Sequence, residues 1–311
     1  MTSITKKVKF SGVGIHSGLN VNMVVLPSKI PGIFFKRVDI KDSALIPATF
    51  DNVGETKLRN TTVGDKNGAH VQTIEHFMAA LFLNGIDSAV VEIDGFETPI
   101  LDGSAYEFYK GLEKAVGKKT KMKKIIVKKT IIATRNELSK NLPFFKRIKM
   151  FILNHTVWRH GNGFVKLSPN DKGLKISATL VYKDKIIGTQ SFSCELDGTE
   201  KSVTEFIDNI SKSRTFGKHS EWEYLKAHGM GRGANEHNII AINDTGDGTL
   251  NKLLYPDEFV RHKIIDAVGD MFTTGGFIYG NLESVKGSHA LNNLVLRKLF
   301  SDKSNYEIVE E

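Results

Sequence analysis

The order of strand and helix signals along the chain predicts an α+β fold built as two domains of related topology. Strand-like runs and helical patterns are mixed without the regular alternation that a doubly wound parallel sheet requires. The order helix, strand, helix occurs twice, first in residues 71–116 and again in residues 258–302. A Lys-rich stretch beginning at residue 118 separates the two occurrences, so the expected domains are residues 1–120 and 121–311. With 311 residues, 40% hydrophobic and 25% charged, the chain is long enough to bury two cores.

In the first part, "KKVKFSGVG", "LNVNMVVLP" and "GIFFKRV" are short strand-like runs separated by turns. A helix is expected over "VQTIEHFMAALFLNGI", where Ile74, Phe77, Met78, Leu81 and Phe82 form an apolar face ending near Gly85. The β-type run "SAVVEIDG" follows, and "PILDGSAYEFYKGLEKAV" turns into a second helix. In the second part, "GFVKLSP", "LKISATLVY" and "TQSFSCEL" read as strands, with a helix from about Val203 to Ile210. Residues 217–250 are long and non-periodic, an insertion of the kind that often carries function. The helix containing His262, a strand in "TTGGFIYGNLESV" and a last helix in "SHALNNLVLRKLFSD" complete the chain.

The single cysteine, Cys194, excludes an intramolecular disulfide and a thiolate-rich zinc site, which leaves His and carboxylate as metal donors. No apolar run approaches the roughly 18 residues of a membrane span, and the N-terminus lacks a signal-peptide core. A cytoplasmic location is therefore expected. The net charge of +8 is concentrated in "KKTKMKKIIVKK" and "FFKRIKM". Nucleic acid is not an expected partner, since no zinc-finger, helix-turn-helix or RNA-binding aromatic motif accompanies the charge. In "LPFFKRIKMFIL" apolar and cationic residues interleave as in an anchor for an anionic membrane surface. A domain-linking strand pair that buries Phe144, Phe145, Phe151 and Ile152 is the simpler expectation.

The segment "EFVRHKIIDAVGD" poses the chemical question. His262, Asp266 and Asp270 recur every four residues and share one wedge of a helix, opposite Ile264, Ile265, Val268, Met271 and Phe272. Taken alone, this pattern suits a core helix with a solvated polar stripe. It also suits ligation, because a neutral imidazole and a carboxylate are good donors to a divalent metal and no Lys stands at the next turn. Elsewhere "TIEH" places His76 beside Glu75, a carboxylate able to act as a general base. "KGSHALNN" sets His289 in a turn at a helix start, where an exposed imidazole could donate a proton. "SRTFG" offers the Thr215 hydroxyl to a developing oxyanion.

Together, "GVGIHSG" (12–18), "TIEHFMAAL" (73–81), "PILDGSA" (99–105), "SRTFG" (213–217), "DEFVRHKIIDAVGD" (257–270) and "SHALNN" (288–293) resemble one family. It is the bacterial zinc-dependent UDP-3-O-acyl-N-acetylglucosamine deacetylases of lipid A synthesis. The resemblance implies two domains, each a small sheet with a helix pair, the helices packed between the sheets and the active site at the interface. It implies His76, His262 and Asp266 as zinc ligands, a set that ferrous iron would also suit. Glu75 would take a proton from water, and Asp270 would orient and charge His289, the group that assists departure of the sugar amine. Thr215 would polarise the acetamide carbonyl, with Lys263 near substrate and oxyanion.

For the substrate, Lys263 and Lys286 would meet the diphosphate and Tyr182 would stack on uracil, although the His-Pro pair that usually follows this aromatic is absent. Phe216 would line the site, while Asp102 and His16 would support it. Residues near 218–248 would form the passage for the fatty acyl chain, with Met230, Ile239 and Ile240 as apolar walls and Gly231, Gly233 and Ala234 leaving room. Arg232 and Glu236 are expected at its rim, facing water, because an unpaired charge along a hydrocarbon would cost several kcal/mol. The segment from about 130 to 163 exceeds the family's hairpin and has no role there. The implied reaction is removal of the N-acetyl group from UDP-3-O-acyl-N-acetylglucosamine, releasing acetate. An amidohydrolase for another acylated amino sugar and a non-catalytic acyl-nucleotide-binding protein are the alternatives, and Glu75 and His289 argue against the second.

Overall fold

The computed structural model describes residues 1–54, 60–118, 120, 122–140 and 163–310. Its first half opens with β1 (Val8–Val13), β2 (Asn20–Pro27), β3 (Gly32–Arg37) and the short β4 (Ile46–Pro47). A two-residue pair, β5 (Val63–Gly64) and β6 (His70–Val71), precedes α1 (Glu75–Asn84), β7 (Ser88–Ile93) and α2 (Tyr106–Glu113). The sheet order is β1-β2-β7-β3-β4, with β7 parallel to β3 and the other pairs antiparallel. Val21, Met23 and Val25 alternate with polar or less buried residues along β2, so one face of the sheet is apolar and turns to the helices.

The second half contains β8 (Lys124–Val127), β9 (Ile131–Thr134), α3 (Arg135–Lys140), β10 (Phe164–Pro169), β11 (Leu174–Val181), β12 (Thr189–Leu196) and α4 (Glu200–Asn209). After β13 (Phe216–Lys218), a 3-10 turn (His219–Glu221), α5 (Trp222–Ala227) and β14 (Ile240–Ile242) come α6 (Glu258–Phe272), β15 (Phe277–Val285), α7 (His289–Phe300) and β16 (Tyr306–Val309). In the larger sheet β15 lies between antiparallel β10 and parallel β11, and β12 pairs antiparallel with β11. The same neighbours occur around β7, between antiparallel β2 and parallel β3, with β4 antiparallel beyond. In both halves the central strand is preceded and followed by a helix, as the repeated order in the sequence suggested.

The helices α1 and α6 occupy the middle. Ile74, just before α1, and Phe77, Met78 and Leu81 within it join the core of the first sheet, whereas Ala79 and Leu83 join that of the second. Most of α6, including Phe259, Ile264, Ile265 and Val268, belongs to the second core, while Phe272 reaches the first. A β-carbon at Gly269 would overlap the carbonyl oxygen of Glu75, so the two helices touch backbone to backbone there. This close approach sets residues from distant parts of the chain side by side.

Two segments that the sequence left without elements carry some. Around residues 217–250, β13 and β14 form a parallel pair, with Phe216 opposite Ile240, and α5 lies between them. The segment from 130 onward begins as β9, whose Ile131–Thr134 pairs with Leu167–Phe164 of β10, and continues into α3. Phe144, Phe145, Phe151 and Ile152 lie outside the described residues, and with them the expectation of a buried strand pair or an interfacial anchor. Among the described residues no helix is long and apolar enough to cross a membrane.

Candidate metal centre

The polar wedge of α6 is buried, with His262, Asp266 and Asp270 only 1%, 3% and 4% exposed. The solvated-stripe reading fails on that observation. Burial of an ionisable trio is costly unless its members are paired or hold an ion, so their partners decide what they do. Across the helix contact α1 supplies His76, whose ring centre is 4.9 Å from that of His262 in an edge-on arrangement. The Nε2 atoms of His76 and His262 each lie 3.4 Å from Asp266 Oδ1. One ligand atom from each of the three residues falls within 4.8 Å of the others.

The donor set fits a divalent cation. Asp266 Oδ1 is buried and accepts no hydrogen bond among the described residues, a state that an ion beside it would relieve. His262 Nδ1 is 3.0 Å from the Ser213 carbonyl oxygen, an acceptor that holds the proton on Nδ1 and leaves the Nε2 lone pair facing the trio. Burial pushes the His262 pKa down to about 3, against the pull of Asp266, so its imidazole is neutral. Burial opposes ionisation of Asp266, but the Lys263 ammonium beside it outweighs burial and holds its pKa well below the usual range. Lys263 Nζ donates to Asp266 Oδ2 at 2.6 Å, leaving Oδ1 for a ligand.

Glu75 and His289 flank the trio. Glu75 is the first residue of α1, and burial raises its pKa although His289 and His76 work against the rise. Its Oε1 lies 3.8 Å from His289 Nε2, which is also 3.8 Å from Asp266 Oδ2. Ser288 caps α7 by accepting from the Leu291 N–H, so the helix starts at His289. The imidazole is not exposed as expected; it is 9% exposed and held through Nδ1 by Asp270 Oδ2 at 2.8 Å. Burial opposes its charge, but Asp270, Glu75 and Asp266 prevail and raise its pKa to about 10. A carboxylate kept basic and an imidazole kept protonated thus share one space.

These groups open onto a cleft of about 350 Å³. Glu75, His76, Tyr182, Thr215, Phe216, Met230, His262, Lys263, Asp266, Lys286 and His289 line it. Asp270 does not, and stands behind His289. The half-buried Thr215 is fixed by its N–H to the Gly103 carbonyl and by its own carbonyl to the Ile240 N–H. Phe216 packs edge-on to Tyr182 at 6.0 Å and carries the Lys263 ammonium 5.4 Å over its ring. Lys286 holds a left-handed backbone with φ at 49°, a strained state of the kind that concentrates at functional sites.

One end of the cleft is apolar, bounded by Ile15, Ile100, Ile239, Met230 and Ala234. Ile240 is buried in the second core, and Gly233 packs on the Gly14 carbonyl, so neither lines it. Arg232 and Glu236 are exposed. His16 lines the cleft and its N–H donates to the buried Glu97, whereas Asp102 accepts from Ser104 in the turn before α2. Three participants carried no assigned role in the sequence reading. Thr61 and Asn292 both donate to Asp270, and the Ser213 carbonyl faces His262. Asn292 lies three residues after His289, one face of a helix, which was the one available signal.

Comparison with known proteins matches this architecture to a single family. Residues 1–301 match the family model described as UDP-3-O-acyl N-acetylglycosamine deacetylase, LpxC. Proteins named UDP-3-O-acyl-N-acetylglucosamine deacetylase are similar over nearly the whole chain. That of Neisseria meningitidis serogroup C (strain 053442) is 35% identical over 311 residues, covering 99% of this chain and 92% of the relative. That of Geotalea uraniireducens (strain Rf4) is 35% identical over 310 residues, covering 99% and 91%. A family model spanning both halves, with full-length relatives at this identity, shows that the chain belongs to the UDP-3-O-acyl N-acetylglycosamine deacetylase (LpxC) family.

Proposed function

We propose that this chain is a metal-dependent deacetylase that hydrolyses the N-acetyl group of UDP-3-O-acyl-N-acetylglucosamine, releasing acetate and the free sugar amine. The observation that carries this reading is the approach of Glu75 Oε1 to His289 Nε2, 3.8 Å apart, beside the His76, His262 and Asp266 trio. Amide hydrolysis needs a base for the attacking water and an acid for the departing nitrogen, and both are provided within one cleft. A divalent ion held by the trio, zinc or ferrous iron, would supply a Lewis acid that polarises the carbonyl and acidifies water.

The chain's own groups perform the proton transfers. Glu75 takes a proton as the water oxygen bonds to the acetyl carbon, and its raised basicity favours that task. His289, charged and steadied by Asp270, delivers a proton to the amine nitrogen as the C–N bond breaks. Thr215 and Lys263 face the carbonyl oxygen as its charge develops. Lys286 with Lys263 receives the diphosphate, Tyr182 the uracil, Phe216 the sugar face, and Met230 the acyl chain in the apolar end of the cleft. The halves 1–120 and 121–311 act as the two walls of the site. The enzyme works in the cytoplasm, a compartment that suits a chain with one cysteine and so no internal disulfide.

Acetate release from UDP-3-O-acyl-N-acetylglucosamine tests the reading. Activity should vanish on chelation and return with Zn2+ or Fe2+, and metal analysis after anaerobic purification identifies the resident ion. Metal-restored protein that released no acetate from this substrate would overturn the assignment.

A further inference from the structure

Thr61 stands where the base and the acid meet. It is 3% exposed, precedes β5, and touches both halves of the site with different atoms. Its backbone N–H donates to Glu75 Oε2 at 3.0 Å, and its hydroxyl donates to Asp270 Oδ1 at 2.5 Å. Each bond leaves the other oxygen of the carboxylate for the chemistry. Glu75 Oε1 is left facing His289 Nε2, and Asp270 Oδ2 is left to receive His289 Nδ1 and Asn292 Nδ2, both at 2.8 Å.

The segment carrying Thr61 is itself tied to both helices that hold the acid and base. Its carbonyl accepts from the Ile74 N–H at the start of α1. Upstream, Asn293 Nδ2 of α7 donates to the Phe50 carbonyl at 2.7 Å and Arg297 Nη2 donates to that of Val53 at 2.9 Å. Val53 in turn bridges Val63, next to Thr62. Phe50 and Val53 are therefore tied to α7, the helix that begins with His289, and through Val63 to the strand that follows Thr61.

We infer that Thr61 is a positioning residue that sets the rotation of the Glu75 and Asp270 carboxylates and so keeps the base and the acid imidazole aimed at one substrate amide. This rests on the reading of Glu75 and His289 given above. Thr61 is neither among the residues that line the cleft nor one of the metal donors. With the hydroxyl gone, Asp270 can turn about its Cβ–Cγ bond, and the His289 ring, which is anchored to it, turns as well. The main-chain bond to Glu75 needs only a backbone N–H, which Val, Ser and Ala all keep, so these substitutions isolate the Asp270 arm.

Thr61→Val keeps the shape and removes the donor, whereas Thr61→Ser keeps the donor and removes a methyl group. The expected result for Thr61→Val is a kcat lower by roughly 10- to 100-fold, with KM and bound metal unchanged, because a misaimed group costs rate and not affinity. Thr61→Ser should recover most of that loss. In metal-free protein, the His289 Nδ1 proton should give a protected downfield NMR signal in wild type and Thr61→Ser, and a broadened or shifted one in Thr61→Val. Wild-type kcat and an unchanged signal in Thr61→Val would overturn the inference while Glu75→Ala and His289→Gln remained inactive, which leaves the functional reading standing. Active Glu75→Ala would instead sink the functional reading. If Thr61→Val lost its fold or its metal, Thr61→Ala would be measured, and the same loss there would make Thr61 a stabilising residue and overturn the inference too.

Discussion

Replacing Gly269 by Ala tests the contact on which the whole site depends. Gly269 lies on α6, and the O, C and Cα atoms of Glu75 on α1 all lie within 3.0 Å of where the new β-carbon would stand. The atoms in conflict are backbone, so no side chain can swing away, and relief requires the helices to part by a distance on the order of 1 Å. Helix propensity alone would make Ala more stable than Gly by about 1 kcal/mol. Overpacking costs about 1–3 kcal/mol, so the expected net effect is destabilisation of up to about 2 kcal/mol. The parting also splits the metal donors, since His76 rides on α1 and His262 and Asp266 on α6. Metal should be held more weakly, and displacement of Glu75 should lower kcat/KM by about 100-fold even at saturating metal. Urea unfolding, metal analysis and acetate release on the folded variant measure the three effects. A variant with wild-type midpoint, metal content and turnover would mean that α1 and α6 are not in backbone contact, and the site as described would fall with it.

Further outcomes follow from individual groups. Ala at His76, His262 or Asp266 should remove bound metal and activity together, whereas Glu75→Ala should keep the metal and lose about a hundred- to ten-thousand-fold in rate, as metal analysis beside the acetate assay will show. In metal-free protein the His289 imidazole should titrate near 10 by NMR, and Asp270→Asn should bring it down by removing the carboxylate that chiefly supports the charge. Because that folded value lies above the ordinary 6.5, His289 stabilises the metal-free fold fully below about pH 6.5, and the contribution is lost as pH rises through about 10. A set of substrates differing only in acyl length should bind more tightly by about 0.8 kcal/mol per methylene until the apolar wall ends, then level off. A flat series would remove the acyl chain from the Met230 end of the cleft.

What the sequence showed and what it withheld divide along the range of the interactions. The spacing of His262, Asp266 and Asp270 is a property of one helix, so their shared face was legible from a fixed rotation per residue. Whether that face met water or another helix was not legible, because a buried polar stripe and a solvated one have the same period. The contact at Gly269 decides between them, and it joins residues nearly two hundred positions apart. The same reasoning explains His289: the turn and the start of a helix were local and readable, but its burial depends on Asp270 lying beneath it. Thr61 is the extreme case, 209 positions from Asp270 and with a polar stretch for local context. Its chemistry also uses a backbone N–H, which every non-proline residue carries and which no side-chain pattern can mark. Sites of this kind become visible only when one asks of each buried carboxylate oxygen which donor faces it, and at Glu75 Oε2 and Asp270 Oδ1 the answer is the same residue.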